Sequence, residues 1–326
     1  MAGRVLVTGA TGTVGRHVVG ELHDRGVPVR VASRDPERAL ADLGFDVVEE
    51  ATDGGVADAA AGERAGTAGE AAGDPPAVEA VRFSFDEPET YGPALAGVSE
   101  VFLVRPGDVS AVEDRMFPFV DRLAEAGASC VLLSVQGADR NPWLPHARLE
   151  ARLRERGVAS TFVRAGFFMD NLHTFHRRAI WGSDEIWVPA GGAALAMVDA
   201  RDVAAVGVAA LVGEAGPGVD PTAELEPGVA AYEPTGPERL TFDDVAAVLS
   251  AELGREVEYV RPSVPRFLWH SDRLGDDLGF ALVQCVIYTI ARLRGQSEPT
   301  DDVRRATGAE PREIHDYARF HRDAWA

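Results

Sequence analysis

The chain has 326 residues, 46% hydrophobic and 26% charged, with a formal net charge of −20. That length and apolar content suit one large α/β domain plus a smaller lobe and exclude global disorder. The acidic surface, with no local basic patch, excludes nucleic acid and anionic membranes as partners.

The first predicted element is the strand of Val5, Leu6 and Val7, which stops at Gly9, with glycines following at three-residue spacing, Gly12 and Gly15. Beyond them Val14, Val18, Val19 and Leu22 recur at helical spacing until Gly26, a suitable left-handed stop. Strand, glycine turn and helix in this order form a dinucleotide-binding unit. Gly9 allows the turn, Gly12 lets backbone approach a pyrophosphate, and Gly15 lets helix and strand pack closely. The turn residues Gly9, Thr11, Gly12, Thr13, Val14 and Gly15 are the expected cradle, with the positive end of the helix dipole aimed at the anion.

The second strand runs from Val27 to Ser33, and its end should meet the adenosine ribose. An NAD-binding chain offers an acid there for the ribose 2′-hydroxyl. This one offers Ser33 and Arg34, with Arg38 one helical turn later, a hydroxyl and guanidinium set that suits a 2′-phosphate. The expected cofactor is NADP(H). Asp35 is the expected N-cap of a helix beginning at Pro36, the alternative being that it touches the ribose while Arg34 is solvated. From Glu50 to Ala80 the composition turns to alanine, glycine and acids, which reads as a mobile insertion.

A strand from Ala80 ends in Asp86, an acid expected near the adenine, and a helix through Ala94 to Ala96 follows. Next come a strand Val101 to Val104, an amphipathic helix Val112 to Ala126 and a strand Cys130 to Ser134. This alternation implies a Rossmann-type, doubly wound parallel sheet. Its strand ends, Gly9, Ser33, Asp86, Arg105 and Ser134, should form one crevice. The helix Pro145 to Gly157 turns Leu149 and Leu153 to the core and sets Glu150 four residues before Arg154. After the strand Ser160 to Arg164, Phe167, Phe168 and Met169 either wall a flat substrate or nicotinamide or belong to the core.

Asp202 is a candidate cap for the helix Val203 to Val212, residues 214–227 form a polar connection, and Thr241 with Asp244 is spaced as a capping box. A strand Val257 to Val260 and helices Phe280 to Leu293 and Arg312 to Trp325 complete the chain. The expected division is an NAD(P)-binding core over 1–165, then the remaining core elements with a smaller C-terminal α/β lobe over 166–326. That lobe would close over the crevice and select the substrate.

Four blocks span nearly all of the chain outside the insertion: Thr8 to Gly15, His146 to Glu150, Thr161 to Asn171, and Asp199 to Val203 with Thr235 to Thr241. Through them the sequence resembles the NmrA-like members of the atypical short-chain dehydrogenase/reductase superfamily, close to the NAD(P)H-dependent quinone and flavonoid-type reductases. The resemblance implies a Rossmann core binding NADP(H) and a substrate cleft between core and lobe. It is compatible with a reductase of small molecules or with a catalytically silent NADPH/NADP sensor acting on a protein partner.

No lysine occurs anywhere, so every basic residue is an arginine, which stays protonated. The superfamily's Tyr-x-x-x-Lys pair is therefore missing, and no tyrosine lies between Tyr91 and Tyr232. In the flavonoid-type branch a lysine heads the helix where this chain has His146. Histidine titrates near neutrality, which makes His146 the candidate proton donor. Ser134, Gln136 and Asn171 are alternative groups that could polarise a substrate carbonyl, and bound water is an alternative proton source.

Cys130 and Cys285 sit in apolar segments, suggesting neither a disulfide nor a metal site. No apolar run approaches the ~20 residues that span a bilayer, and no signal-peptide layout precedes the first strand, so the expected compartment is the cytoplasm. The expected function is NADPH-dependent hydride delivery to a small aromatic or quinone-like substrate. The alternatives are an NADP(H)-sensing regulator and a non-redox biosynthetic enzyme on the same fold.

Overall fold

The computed structural model describes residues 3–45, 78–216, 228–294 and 298–325. Most of the predicted insertion and of the 214–227 connection lie outside the described residues. The first half comprises β1 (Arg4–Thr8), α1 (Gly15–Asp24), β2 (Val29–Ser33), α2 (Pro36–Leu43), β3 (Glu79–Arg82), α3 (Tyr91–Leu95), β4 (Val98–Val104), α4 (Val112–Arg115), α5 (Phe117–Ala126), β5 (Ser129–Val135), α6 (Pro145–Glu155) and β6 (Ser160–Ala165). There follow α7 (Asn171–Phe175), α8 (Arg177–Ser183), β7 (Glu185–Ile186), α9 (Ala200–Leu211), β8 (Val229–Tyr232), α10 (Phe242–Leu253), β9 (Glu258–Tyr259), α11 (Val264–Leu274), α12 (Leu278–Arg294), α13 (Asp302–Thr307), α14 (Ile314–Phe320) and α15 (Arg322–Trp325).

Seven strands form one parallel sheet in the order β3-β2-β1-β4-β5-β6-β8. Its central strands read as unbroken apolar runs because both faces are buried. Val18, Val19 and Leu22 of α1, Leu40 of α2 and Val203 of α9 cover one face. Leu95 of α3, Leu123 of α5 and Leu149 of α6 cover the other. The sheet is thus doubly wound and Rossmann-type, and its order reverses between β1 and β4, where ligands gather in such folds. A second core, around Phe242, Tyr288, Tyr317 and Trp325, joins α7, α8, α10, α12, α14 and α15 to the small parallel pair β7-β9.

Local signals hold where the chemistry is local. Asp35 caps α2 by accepting from the Arg38 N–H, and Thr241 and Asp244 form a reciprocal capping box on α10. Elsewhere the structure differs. The predicted helix 112–126 breaks at Met116 into α4 and α5, because Pro118 lacks an N–H and its ring crowds the carbonyl four residues back. The predicted strand 80–86 ends at Arg82. Asp199, not Asp202, caps α9, accepting from the Arg201 N–H at 2.8 Å. Asp202 lies inside the first turn and binds the Arg312 backbone N–H at 2.7 Å. Helix α11 was not foreseen, although Pro265 sits in its first turn, where a missing N–H costs nothing.

Candidate functional site

The site begins at the turn between β1 and α1. Gly9 adopts φ +61°, and its carbonyl accepts the Gly12 N–H at 3.0 Å. A Cβ on Gly15 would lie 2.2 Å from that carbonyl oxygen, and one on Gly12 3.1 Å from it. Helix α1 has no side-chain cap and no acid in its first turn, so its positive end is left for an anion.

Two cavities meet at this turn. One, of about 260 Å³, is lined by Thr8, Gly9, Ala10 and Thr11, by Ser33 at the end of β2 and Arg34 after it, and by residues 83–86. The other, of about 230 Å³, is lined by Gly9, Gly12, Thr13, Val14 and Gly15 with Val104, Leu133, Phe168, Asn171, Thr174 and Phe175. They share Gly9 and Val104, the ends of β1 and β4, so they open at the point where the strand order reverses. The turn, the uncapped helix end and the two cavities fit a dinucleotide, with the first cavity at the expected adenosine end.

At the adenosine end Arg34 faces the first cavity and has no ion-pair partner among the described residues. The Ser33 hydroxyl donates to the Asp35 carbonyl at 2.9 Å and accepts the Asp35 N–H at 3.1 Å, which shapes the turn. Asp35 spends its carboxylate on the α2 cap and does not line the cavity. Arg38 points elsewhere, 77% exposed and 3.7 Å from Asp42. Asp86 lines the cavity but is held bidentately by Arg115 at 2.6 Å, which keeps its carboxyl below the usual carboxylate range.

Three expected site residues have other work. Ser134 is 1% exposed, and its hydroxyl donates to Glu150 Oε1 at 2.7 Å inside the core. It faces neither cavity. Arg105 donates to the carbonyls of Pro106 and Val109 at 2.9 and 2.6 Å and to His146 Nε2 at 3.3 Å, folding its own loop instead of reaching a phosphate. Burial and the Arg105 charge push the His146 pKa down to about 4. The ring is therefore neutral at pH 7 with Nε2 occupied as an acceptor, and it holds no imidazolium proton to donate.

The aromatic run divides. Phe168 lines the second cavity. Phe167 packs on Phe242 and Tyr288 at ring centroid distances of 6.3 and 5.5 Å, and Met169 is fully buried in the lobe. Thr174 and Phe175, which sequence reasoning missed, complete the wall. Asp170, His173 and His321 bring ligand atoms within 4.8 Å of one another. However, the two imidazoles stack at 4.4 Å with a 25° tilt, so their in-plane lone pairs cannot converge on one ion, and His173 Nδ1 is taken by the Tyr317 hydroxyl at 2.6 Å.

Burial also drives the His176 and His321 pKa values down to about 4. Below pH 6.5 the unfolded chain takes up protons at these histidines and at His146, whereas the folded chain resists until about pH 4. Their contribution is complete above pH 6.5 and is lost as pH falls through that window. Asp170, raised to about 6 by burial, acts oppositely over the same range, as do Glu100, Asp202 and Glu233, which burial also raises, but burial lowers His17, His173 and His270 as well, so six histidines stand against four carboxyls. The urea midpoint is expected to be lower at pH 5 than at pH 7, with a smaller difference in His146→Gln. Equal midpoints would contradict the buried neutral state.

Residues 1–320 match the NmrA-like family. The chain is 30% identical to the NAD(P)H azoreductase of Xenophilus azovorans, over 98% of this chain and 99% of that protein. It is 33% identical to the (4-alkanoyl-5-oxo-2,5-dihydrofuran-3-yl)methyl phosphate reductase of Streptomyces griseus subsp. griseus, over 78% of this chain and 76% of that one. The structure of the NADPH-dependent quinone oxidoreductase from Escherichia coli complexed with NADPH aligns with a TM-score of 0.72 at 20% identity, covering 96% of this chain and 98% of that one. At that identity the likeness is one of fold. The glycine turn, the strand order and a match over nearly the whole sequence agree, and the chain belongs to the NmrA-like family of atypical short-chain dehydrogenase/reductases.

Proposed function

We propose that this chain is an NADPH-dependent reductase that delivers hydride to a small, electron-poor, aromatic or quinone-like acceptor without a Tyr/Lys catalytic pair. The observation that carries this reading is the pair of cavities that share Gly9 and Val104, with a guanidinium lining one and an aromatic wall lining the other. The similar proteins are named for reduction of azo compounds, a furanone phosphate and quinones, all electron-poor unsaturated acceptors.

Bound NADPH supplies the hydride. The chain's own residues position and shield. Backbone at Gly12 to Gly15 holds the pyrophosphate, and Arg34 binds the 2′-phosphate from the turn that Ser33 shapes. Phe168 and Phe175 exclude water, and the Asn171 carboxamide orients the acceptor by a hydrogen bond. All five tyrosine hydroxyls bond elsewhere, to Phe85, Gly216, Val188, His176 and His173. Water is then the proton source, which suits acceptors whose reduced oxyanion or amide is stable enough to wait for it.

NADPH oxidation over a panel of quinones and azo dyes tests the reading. Turnover with at least one class is expected, and Arg34→Ala should lose its preference for NADPH over NADH by about tenfold or more, ~1.4 kcal/mol. Tight NADPH binding with no oxidation by any acceptor would favour a redox-sensing protein instead.

A further inference from the structure

Helix α12 is apolar on two opposite faces. Ala281 and Cys285 pack on Phe267, and Tyr288 packs on Phe242 at 5.9 Å between ring centroids. On the outer side Val283, Val286, Ile290 and Leu293 follow one another at intervals of three, four and three residues, flanked by Leu282 and Ile287, and these six are 43–79% exposed. A surface helix ordinarily carries polar residues on that side. The interval is that of the a and d positions of a helix-pairing seam.

We infer that the outer face of α12 is a self-association surface, on which α12 of a second copy of this chain packs about a two-fold axis. Charge favours this occupant. The chain carries 52 acidic residues, yet residues 278–294 include none, and no charge of either sign occurs before Arg292. Two copies, each at −20, can meet here without opposing carboxylates, and a two-fold contact sets one uncharged stripe against itself. An anionic membrane would meet the rest of that acidic surface as well.

The area also suits a dimer. With Leu278 and Phe280, the exposed apolar side chains of α12 amount to roughly 700 Å², near the ~800 Å² per partner of a standard interface. Phe280 touches Phe175 at 4.8 Å between ring centroids, and Phe175 walls the second cavity, so the same contact shields that cavity's apolar wall.

Light scattering coupled to size exclusion, over a concentration series of the full chain, tests the inference. The wild type is expected at twice the 34.7 kDa chain mass. Val286→Glu/Ile290→Glu is expected at the single mass with unchanged far-UV circular dichroism. A wild type that stays monomeric at high micromolar concentration overturns the inference, whether or not it binds phosphatidylcholine vesicles. A dimer that survives the double substitution with its stoichiometry intact overturns it too. Because the wild type alone must dimerise, a variant that failed to fold would not shelter the inference.

Discussion

Gly15→Ala is expected to lower NADPH affinity at least 100-fold, about 3 kcal/mol. The new Cβ would sit 2.2 Å from the Gly9 oxygen, 2.8 Å from its carbonyl carbon and 2.9 Å from Ala10 Cα. All three are backbone atoms and cannot swing aside as a flexible side chain can. The turn must open, which breaks the Gly12 N–H bond to the Gly9 carbonyl and lifts α1 off β1. Melting temperature should fall as well. Gly12→Ala makes only a 3.1 Å contact with the Gly9 oxygen, so it should melt near the wild type while binding weakly, since backbone must still approach the pyrophosphate. Calorimetric titration and thermal unfolding of both variants separate fold from binding. Wild-type affinity in Gly15→Ala would mean that the turn holds no dinucleotide.

Glu150→Ala should destabilise the fold by about 3–5 kcal/mol, because it removes the buried carboxylate that accepts two bonds from the buried Arg164 guanidinium. Arg164 is 0% exposed and Glu150 1%. Their bonds, Nε to Oε1 at 3.0 Å and NH2 to Oε2 at 2.8 Å, tie α6 to β6, and Ser134 ties the same carboxylate to β5. A drop in melting temperature of about 4–7 °C should follow. Replacing both partners, Glu150→Leu/Arg164→Met, should restore most of the loss, since a well-packed apolar pair carries no desolvation cost. If Glu150→Ala unfolds like the wild type, the pair contributes nothing.

What the sequence revealed, and what it hid, follows from the range of the interactions. The glycine turn, the α2 cap and the α10 capping box depend on residues within four positions of one another, and they were legible. Buried parallel strands were legible as apolar runs, and residues at the carboxyl ends of β1 and β2 line one cavity. Side-chain direction at those ends was not, because neighbouring strand residues point to opposite faces. Ser134 and Arg105 therefore looked equivalent to Ser33 and Arg34. Ser134 is instead claimed by Glu150, sixteen residues on, and Arg105 by its own loop and by His146, forty-one residues on. The predicted Glu150 to Arg154 pair exists at 3.7 Å but is secondary to the shorter bonds from Arg164. Nothing in the spacing of His146 announced that burial would hold it neutral.

The most direct measurement is a calorimetric titration of the wild-type chain with NADPH and, separately, NADH. The cavities that share Gly9 and Val104, with Arg34 lining one of them, imply that both bind and that NADPH binds at least about tenfold more tightly. If neither dinucleotide binds, the glycine turn is architecture alone and the proposed reductase has no hydride source.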